Sequence, residues 1–252
     1  MLVILALISL AAGILIGTVG IGGVLIIPAM SWLAQLTTRV SMATALFSFI
    51  FTGAVGTYLY QSKGSIDWRI TIPICAGAVS FGYTGAVANS LTDTSTLNLI
   101  LAVLIVFAGI YTLRPWRGHR ELVYKSGNRL HLIMLLLIGA TVGFASGLTG
   151  VGGPLLSVPL MVIIGFAPLT AIATSQVIQI AASASGTAGN IVHGTIDFGI
   201  ASWVTLIELA GVIIGVRIAH SVNSHLLRKL VAIVCLIIGG LMIIHRSGLY
   251  WG

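Results

Sequence analysis

The chain has 252 residues, of which 58% are hydrophobic and only 7% charged, whereas a soluble domain carries about 25% charged residues. Such a composition excludes a water-facing globular surface and places the chain in a bilayer. Its formal charge of +7 is then loop charge that sets topology, not a nucleic-acid footprint.

The first apolar stretch, 2–19, lacks the basic n-region of a signal peptide. It has a counterpart at about 132–147, so it is expected to belong to the fold. It runs into Gly17-Thr18-Val19-Gly20-Ile21-Gly22-Gly23, followed by a short apolar segment, 24–36, that contains Pro28. Three longer spans follow at about 42–61, 70–91 and 96–113, and then the basic stretch Arg114–Arg129. The order then repeats. An apolar stretch over 131–149 enters Gly147-Leu148-Thr149-Gly150-Val151-Gly152-Gly153, a short segment over 154–168 carries Pro154 and Pro159, and spans follow at 172–192, 199–220 and 226–245.

The second glycine motif lies 130 residues after the first. The same offset pairs the glycines at 13, 17, 20, 22, 23, 56, 64, 85 and 109 with later glycines, and pairs Thr44 with Thr174 and Asp67 with Asp197. This is an internal duplication: one membrane repeat over 1–115, a linker over 116–129, and a second repeat over 130–247. The longer spans approach the ~20 residues that cross a bilayer core. The segments after the glycines, of 13 and 15 residues, reach only roughly 20 Å and read as half-helices, broken or re-entrant. The fold class is therefore an all-α polytopic membrane protein with two repeats, each a broken or re-entrant helix pair plus three transmembrane helices.

Basic residues orient it. With the linker cytoplasmic and the repeats inverted, ten Lys and Arg lie inside and only Arg39 and Arg246 outside; parallel repeats give eight against four. The positive-inside rule favours the inverted arrangement, with both chain termini outside. The loop Lys63–Arg69 is basic, whereas its partner His193–Gly199 has lost both basic residues, as opposite compartments require.

Glycine breaks in matched segments of two halves point to a transporter's binding site. Half-helices starting near Gly22 and Gly23, and near Gly152 and Gly153, would present free N–H groups and positive dipole ends to an anion; Gly20 and Gly150 supply the breaks. The alternative reading is close helix packing through small residues. Thr18, Thr149, Thr44, Ser48, Thr174, Ser175, Gln179 and Asn190 are candidate ligand donors, each of which could instead bond helix to helix. Glu208 lies near the middle of its span, where an ionised carboxylate is costly, and its repeat partner is Ala78. It is a candidate for proton coupling or a conformational ion pair, against a neutral or water-exposed acid. Asp67 and Asp197 read as helix N-caps, and His193 as a solvated loop histidine or a pH-sensing gate. Cys75 and Cys235, in apolar spans, read as small buried hydrophobes. The histidines lack zinc spacing, there is no Walker A loop, and the glycine motif lacks the setting of a dinucleotide site. No metal, cofactor or enzymatic activity is expected.

The doubled motif at 17–23 with Pro28 and at 147–154 with Pro159, together with the duplicated Thr44/Thr174 and Gly64/Gly194 and the chain length, resembles the TauE/SafE sulfite-exporter family. The resemblance implies an inner-membrane permease for sulfite, sulfonates or related small organic anions. It leaves open the anion, the direction, the coupling ion and the oligomeric state. A secondary carrier, a passive anion channel and a non-transporting assembly partner remain distinct readings; the shortness of Arg114–Arg129, the one sizeable polar segment, counts against the last.

Overall fold

The computed structural model describes residues 2–113 and 129–221 and a few positions between 233 and 243. Most of the linker, Cys235 and most of the expected span over 226–245 lie outside the described residues. Among the described residues the regular structure is α-helical: α1 (Leu2–Val19), α2 (Gly23–Leu33), α3 (Thr38–Gln61), α4 (Trp68–Leu91), α5 (Thr94–Leu113), α6 (Arg129–Thr149), α7 (Pro154–Ile164), α8 (Pro168–His193) and α9 (Phe198–Ser221). Six of them, α1, α3, α4, α5, α6 and α9, are long and apolar enough to cross a membrane. Helix α8, at 26 residues, is long enough, but buried polar groups lower its hydropathy. The half-helices α2 and α7 have 11 residues each, shorter than expected, because a bend after Leu33 and the left-handed Gly165 (φ 112°) stop them.

Local chemistry sets the ends. Asp67 caps α4 by accepting from the Arg69 N–H at 2.9 Å, and Asp197 caps α9 by accepting from the Ile200 N–H at 2.8 Å, as expected for a carboxylate before a helix. Pro154 and Pro168 open α7 and α8, where a missing N–H costs nothing. Cys75 is half-buried, more open than its reading as a core residue, because it faces outward from α4 beside Trp68 and Ile72.

Glycine sets the closest packing. A Cβ on Gly13 would collide with the Glu208 carbonyl, and one on Gly17 with that of Val212, so α1 and α9 run parallel with their backbones in contact. One offset later, Gly143 meets the Ala78 carbonyl and Gly147 that of Gly82, which makes α6 and α4 parallel in the same way. These are small-residue contacts of the kind that hold helices together in lipid, where no hydrophobic force separates protein from solvent. Packing thus accounts for Gly17 and Gly147 of the two motifs.

Cross-bonds give the remaining directions. Thr44 accepts from the Asp197 N–H, and Thr205 donates to Ser48 at 2.9 Å, so α3 runs parallel to α9. Thr71 pairs with Thr174, and Ser185 accepts from the Tyr83 N–H, so α4 runs parallel to α8. Helices α3 and α8 cross antiparallel: Leu46 meets Gly186, while Gly53 meets Gln176 and Ile180. Ser31, near the end of α2, pairs with Ser41 at the start of α3, so α2 turns back along α1.

Candidate functional site where two helix breaks meet

Helix α1 ends in left-handed Gly20 (φ 83°) and α6 in left-handed Gly150 (φ 71°). The Gly20 N–H donates to the Leu15 and Ile16 carbonyls, and the Gly150 N–H to that of Ser146. Only glycine takes this conformation without strain, which makes it the usual residue just past a helix end. Gly152 (φ 82°) adds a second left-handed position in the second break.

The two breaks touch. A Cβ on Gly20 would lie 2.7 Å from the Pro154 Cβ, and one on Gly23 would strike the Val151 carbonyl. Both lie against the middle turns of the central helices: Gly20 faces the Ser175 hydroxyl, Gly152 the Phe49 ring, and Gly153 the segment Ile178–Gln179. The first turns of α2 and α7 therefore begin beside one another at the crossing of α3 and α8. Each carries N–H groups that have no partner within its own helix.

The carbonyls freed where α1 and α6 end are covered by side chains from other helices. Tyr60 donates to Gly17 at 2.7 Å, Gln176 to Ile16 at 3.0 Å and Asn89 to Leu148 at 2.6 Å. Three carbonyls at these negative ends are thus bonded within the protein.

Of the expected polar residues, Thr18, Thr149, Ser175 and Gln179 lie at the breaks, and most of the donors are committed. Thr18 donates to the Ile14 carbonyl, Thr149 to Ala145 and Ser175 to Ile172. Ser48 bonds Thr44 and Thr205, and Thr174 pairs with Thr71. The Gln179 amide nitrogen spans to the Phe49 carbonyl and the Thr52 hydroxyl. Asn190 is buried near the end of α8. The Gly22 backbone starts α2 with an ordinary helical conformation and packs against Ile16.

Among the described residues, other buried polar atoms have no hydrogen-bond partner: the hydroxyls of Ser146, Ser157, Ser183, Thr187 and Thr57, Gln176 Oε1, and both carboxylate oxygens of Glu208. Ser146, Ser157, Ser183 and Gln176 escaped the reading from sequence. Their signal was the repeat itself. At the 130-residue offset their partners are Ile16, Ile27, Gly53 and Leu46, a polar-for-apolar exchange of the kind that singled out Glu208. That acid is fully buried, and its backbone lies against Gly13 of α1. Arg217 is exposed, and among the described residues Glu208 has no hydrogen-bonded partner. His193 is exposed, with its ring on the Tyr83 hydroxyl at 3.1 Å.

The family model for the sulfite exporter TauE/SafE matches residues 5–246. The chain belongs to this family. It is similar to the probable membrane transporter YunE of Bacillus subtilis, 23% identical with 94% of this chain and 93% of that one aligned. A probable membrane transporter of Methanocaldococcus jannaschii is 21% identical, with 97% and 96% aligned. The probable membrane transporter y4hK of Sinorhizobium fredii is 25% identical, with 91% of each chain aligned. No solved structure matches the chain. It is a multi-pass membrane protein of a transporter family, not of an enzyme family.

Proposed function

We propose that the protein is a secondary transporter of a small anion (sulfite, a sulfonate or a related organic anion) that works by alternating access around the two helix breaks. The contact of Gly20 with Pro154 and of Gly23 with Val151 carries this reading. Two half-helix N-termini placed together, with three of the neighbouring carbonyls bonded by side chains, offer main-chain amides and positive dipole ends to a negative solute. Irregular backbone at such depth is tolerated where it lines a cavity or packs inside protein.

The halves act as inverted copies. This reading draws support from helix directions: α1 and α6, α3 and α8, and α4 and α9 each run oppositely, following the contacts above. Rocking one repeat against the other then exposes the site alternately. The linker lies in the cytoplasm and the membrane is the inner membrane. Glu208, buried and unpaired, couples transport to protons. Helix α1, packed against it, carries no titratable side chain, and on α3 the titratable groups, Arg39, Tyr58 and Tyr60, lie near the two ends.

The test is uptake of labelled sulfite, taurine and acetate into proteoliposomes. Saturable uptake with counterflow is expected; unsaturable conductance would make the protein a channel, and no flux of any anion would overturn the reading.

A further inference from the structure

We propose that the groove between α4 and α8 holds one acyl chain of an anionic phospholipid, whose headgroup rests on Lys63 and Arg69. This seat lies on the outer surface and is independent of the anion site at the breaks.

An apolar cavity of about 410 Å³ opens on the α4–α8 seam. Trp68, Ile72, Cys75, Ala76 and Val79 line it from α4, and Val177 from α8. The α4 residues recur at helical spacing and form one stripe. From Trp68 to Val79 that stripe rises roughly 16 Å, about half of the ~30 Å hydrocarbon core. The groove is therefore as deep as one leaflet, which is the reach of one lipid tail.

Positive charge stands at its mouth. Trp68 opens α4, and the exposed Arg69 heads the line that continues through Ile72 and Ala76. The Trp68 indole N–H donates to Gln61 Oε1 at 2.9 Å. That bond draws the end of α3, and the exposed Lys63 two residues later, to the same place. The acid of this loop, Asp67, accepts from the Arg69 backbone N–H as the helix cap, so two cations face one committed carboxylate. Tryptophan favours the membrane interface, and basic pockets between helices on one side of the membrane suit anionic headgroups.

The duplication supplies the contrast. At the 130-residue offset, Phe47 stands for Val177, Phe51 for Ala181 and Phe198 for Trp68. Phe47 meets Phe51 and Phe198 edge-on, each at 5.3 Å between ring centroids, and these rings fill the α3–α9 seam. Thr205, in the place of Cys75, is buried and bonded to Ser48. The loop of that copy, His193–Gly199, carries neither lysine nor arginine. Open tail space and basic charge thus occur together in one copy and are absent together from the other. A bias of charge toward one compartment explains the loops alone; a lipid explains the loop and the groove.

Other occupants fit less well. A second copy docked here about an axis along the membrane normal would bring its own Lys63 and Arg69 to the same level, where like charges repel. Gly239, in the last span, lies against Val106 and Ile105 of α5, which takes that turn of the span to another helix.

The purified full-length protein in detergent tests this with phosphatidylglycerol and phosphatidylcholine. Binding is read by native mass spectrometry, and by tryptophan quenching with the tail-brominated forms. Wild type is expected to take up one phosphatidylglycerol about tenfold more tightly than phosphatidylcholine. The quenching specific to phosphatidylglycerol should vanish in Trp68→Phe, which carries the residue of the other copy. Lys63→Gln combined with Arg69→Gln should erase the preference. Val177→Phe, which copies the filled seam, should weaken both lipids about tenfold. Only variants with the wild-type elution profile are compared; the glutamine pair is exposed and leaves the Asp67 cap in place, so it decides the outcome even without Val177→Phe. Equal binding of the two lipids by wild type, or a preference that survives the glutamine pair, overturns the proposal. So does lipid binding untouched by a folded Val177→Phe, which would mark a general lipid coat, and so does a wild-type dimer that Val177→Phe dissociates, which would give the groove to a second copy.

Discussion

The Tyr60 hydroxyl, near the end of α3, donates to the Gly17 carbonyl oxygen at 2.7 Å. Gly17 stands in the last turn of α1, where carbonyls lose their intrahelical donors. In water such groups would be solvated; in the membrane interior another side chain must reach them. Tyr60 does so from full burial, with its ring tilted against His220 at 5.1 Å between centroids. The bond protects the helix end and removes a negative partial charge from the neighbourhood of the break.

Tyr60→Phe keeps the ring and deletes only the donor. The orphaned carbonyl should cost about 1–3 kcal/mol. A lowered melting temperature in detergent is expected, along with weaker anion transport in proteoliposomes, because the uncovered oxygen repels the solute. Unchanged stability would mean that the Gly17 carbonyl finds another partner.

Gly20 and Gly64 separate backbone strain from crowding. Both have positive φ, 83° and 67°, so alanine at either position pays about 1–2 kcal/mol for a left-handed backbone. At Gly64 the added Cβ has open space; at Gly20 it meets Pro154, and overpacking adds about 1–3 kcal/mol. Gly64→Ala should fold and transport with a modest loss of stability. Gly20→Ala should push the breaks apart and abolish uptake even where the protein is recovered folded. Equal behaviour of the two variants in stability and transport assays would remove the significance given to the Gly20–Pro154 contact.

Much of the fold was legible because lipid leaves few choices. Apolar length marks α1, α3, α4, α5, α6 and α9, the glycine offset marks the breaks, and aspartate after a glycine turn marks the caps at Asp67 and Asp197. Hydroxyl commitment was not legible. Thr18 and Ser146 look alike as polar residues in an apolar run, yet the Thr18 hydroxyl bonds the Ile14 carbonyl while the Ser146 hydroxyl finds no partner among the described residues. That difference depends on rotamer and on the neighbouring helix, neither of which periodicity carries. The roles of the motif glycines also divide only in three dimensions: Gly17 and Gly147 pack against other helices, Gly20 and Gly150 close α1 and α6, and Gly23 fits against the opposite break.

Glu208 offers a test of coupling. Both its carboxylate oxygens are buried without a partner, so replacing the acid by its neutral isostere removes a proton-binding site while keeping the shape. Glu208→Gln should retain downhill sulfite exchange, lose accumulation driven by an imposed proton gradient, and show a flat pH profile of uptake. Accumulation and pH dependence identical to wild type would reduce Glu208 to a structural residue of the α1–α9 contact.

The proposed inversion predicts which chain positions share a compartment. Following the helix directions, Leu2 and His193 stand at one end of the bundle and Lys63 at the other. Arg39, which donates to the Thr92 carbonyl at 2.6 Å, joins the starts of α3 and α5 to the Leu2 end, and Ser65, paired with His220 at 3.3 Å, ties the loop after α3 to the end of α9. The proposed topology, drawn from basic-residue bias, has the Lys63 end in the cytoplasm. In a background with Cys75 and Cys235 replaced by alanine, Leu2→Cys and His193→Cys should react with an impermeant maleimide added outside intact cells, and Lys63→Cys only after the cytoplasm is opened. Parallel repeats would instead put Lys63 and His193, one offset apart, in the same compartment, so labelling of both from one side would refute inversion and with it the meeting of two opposed half-helices at one anion.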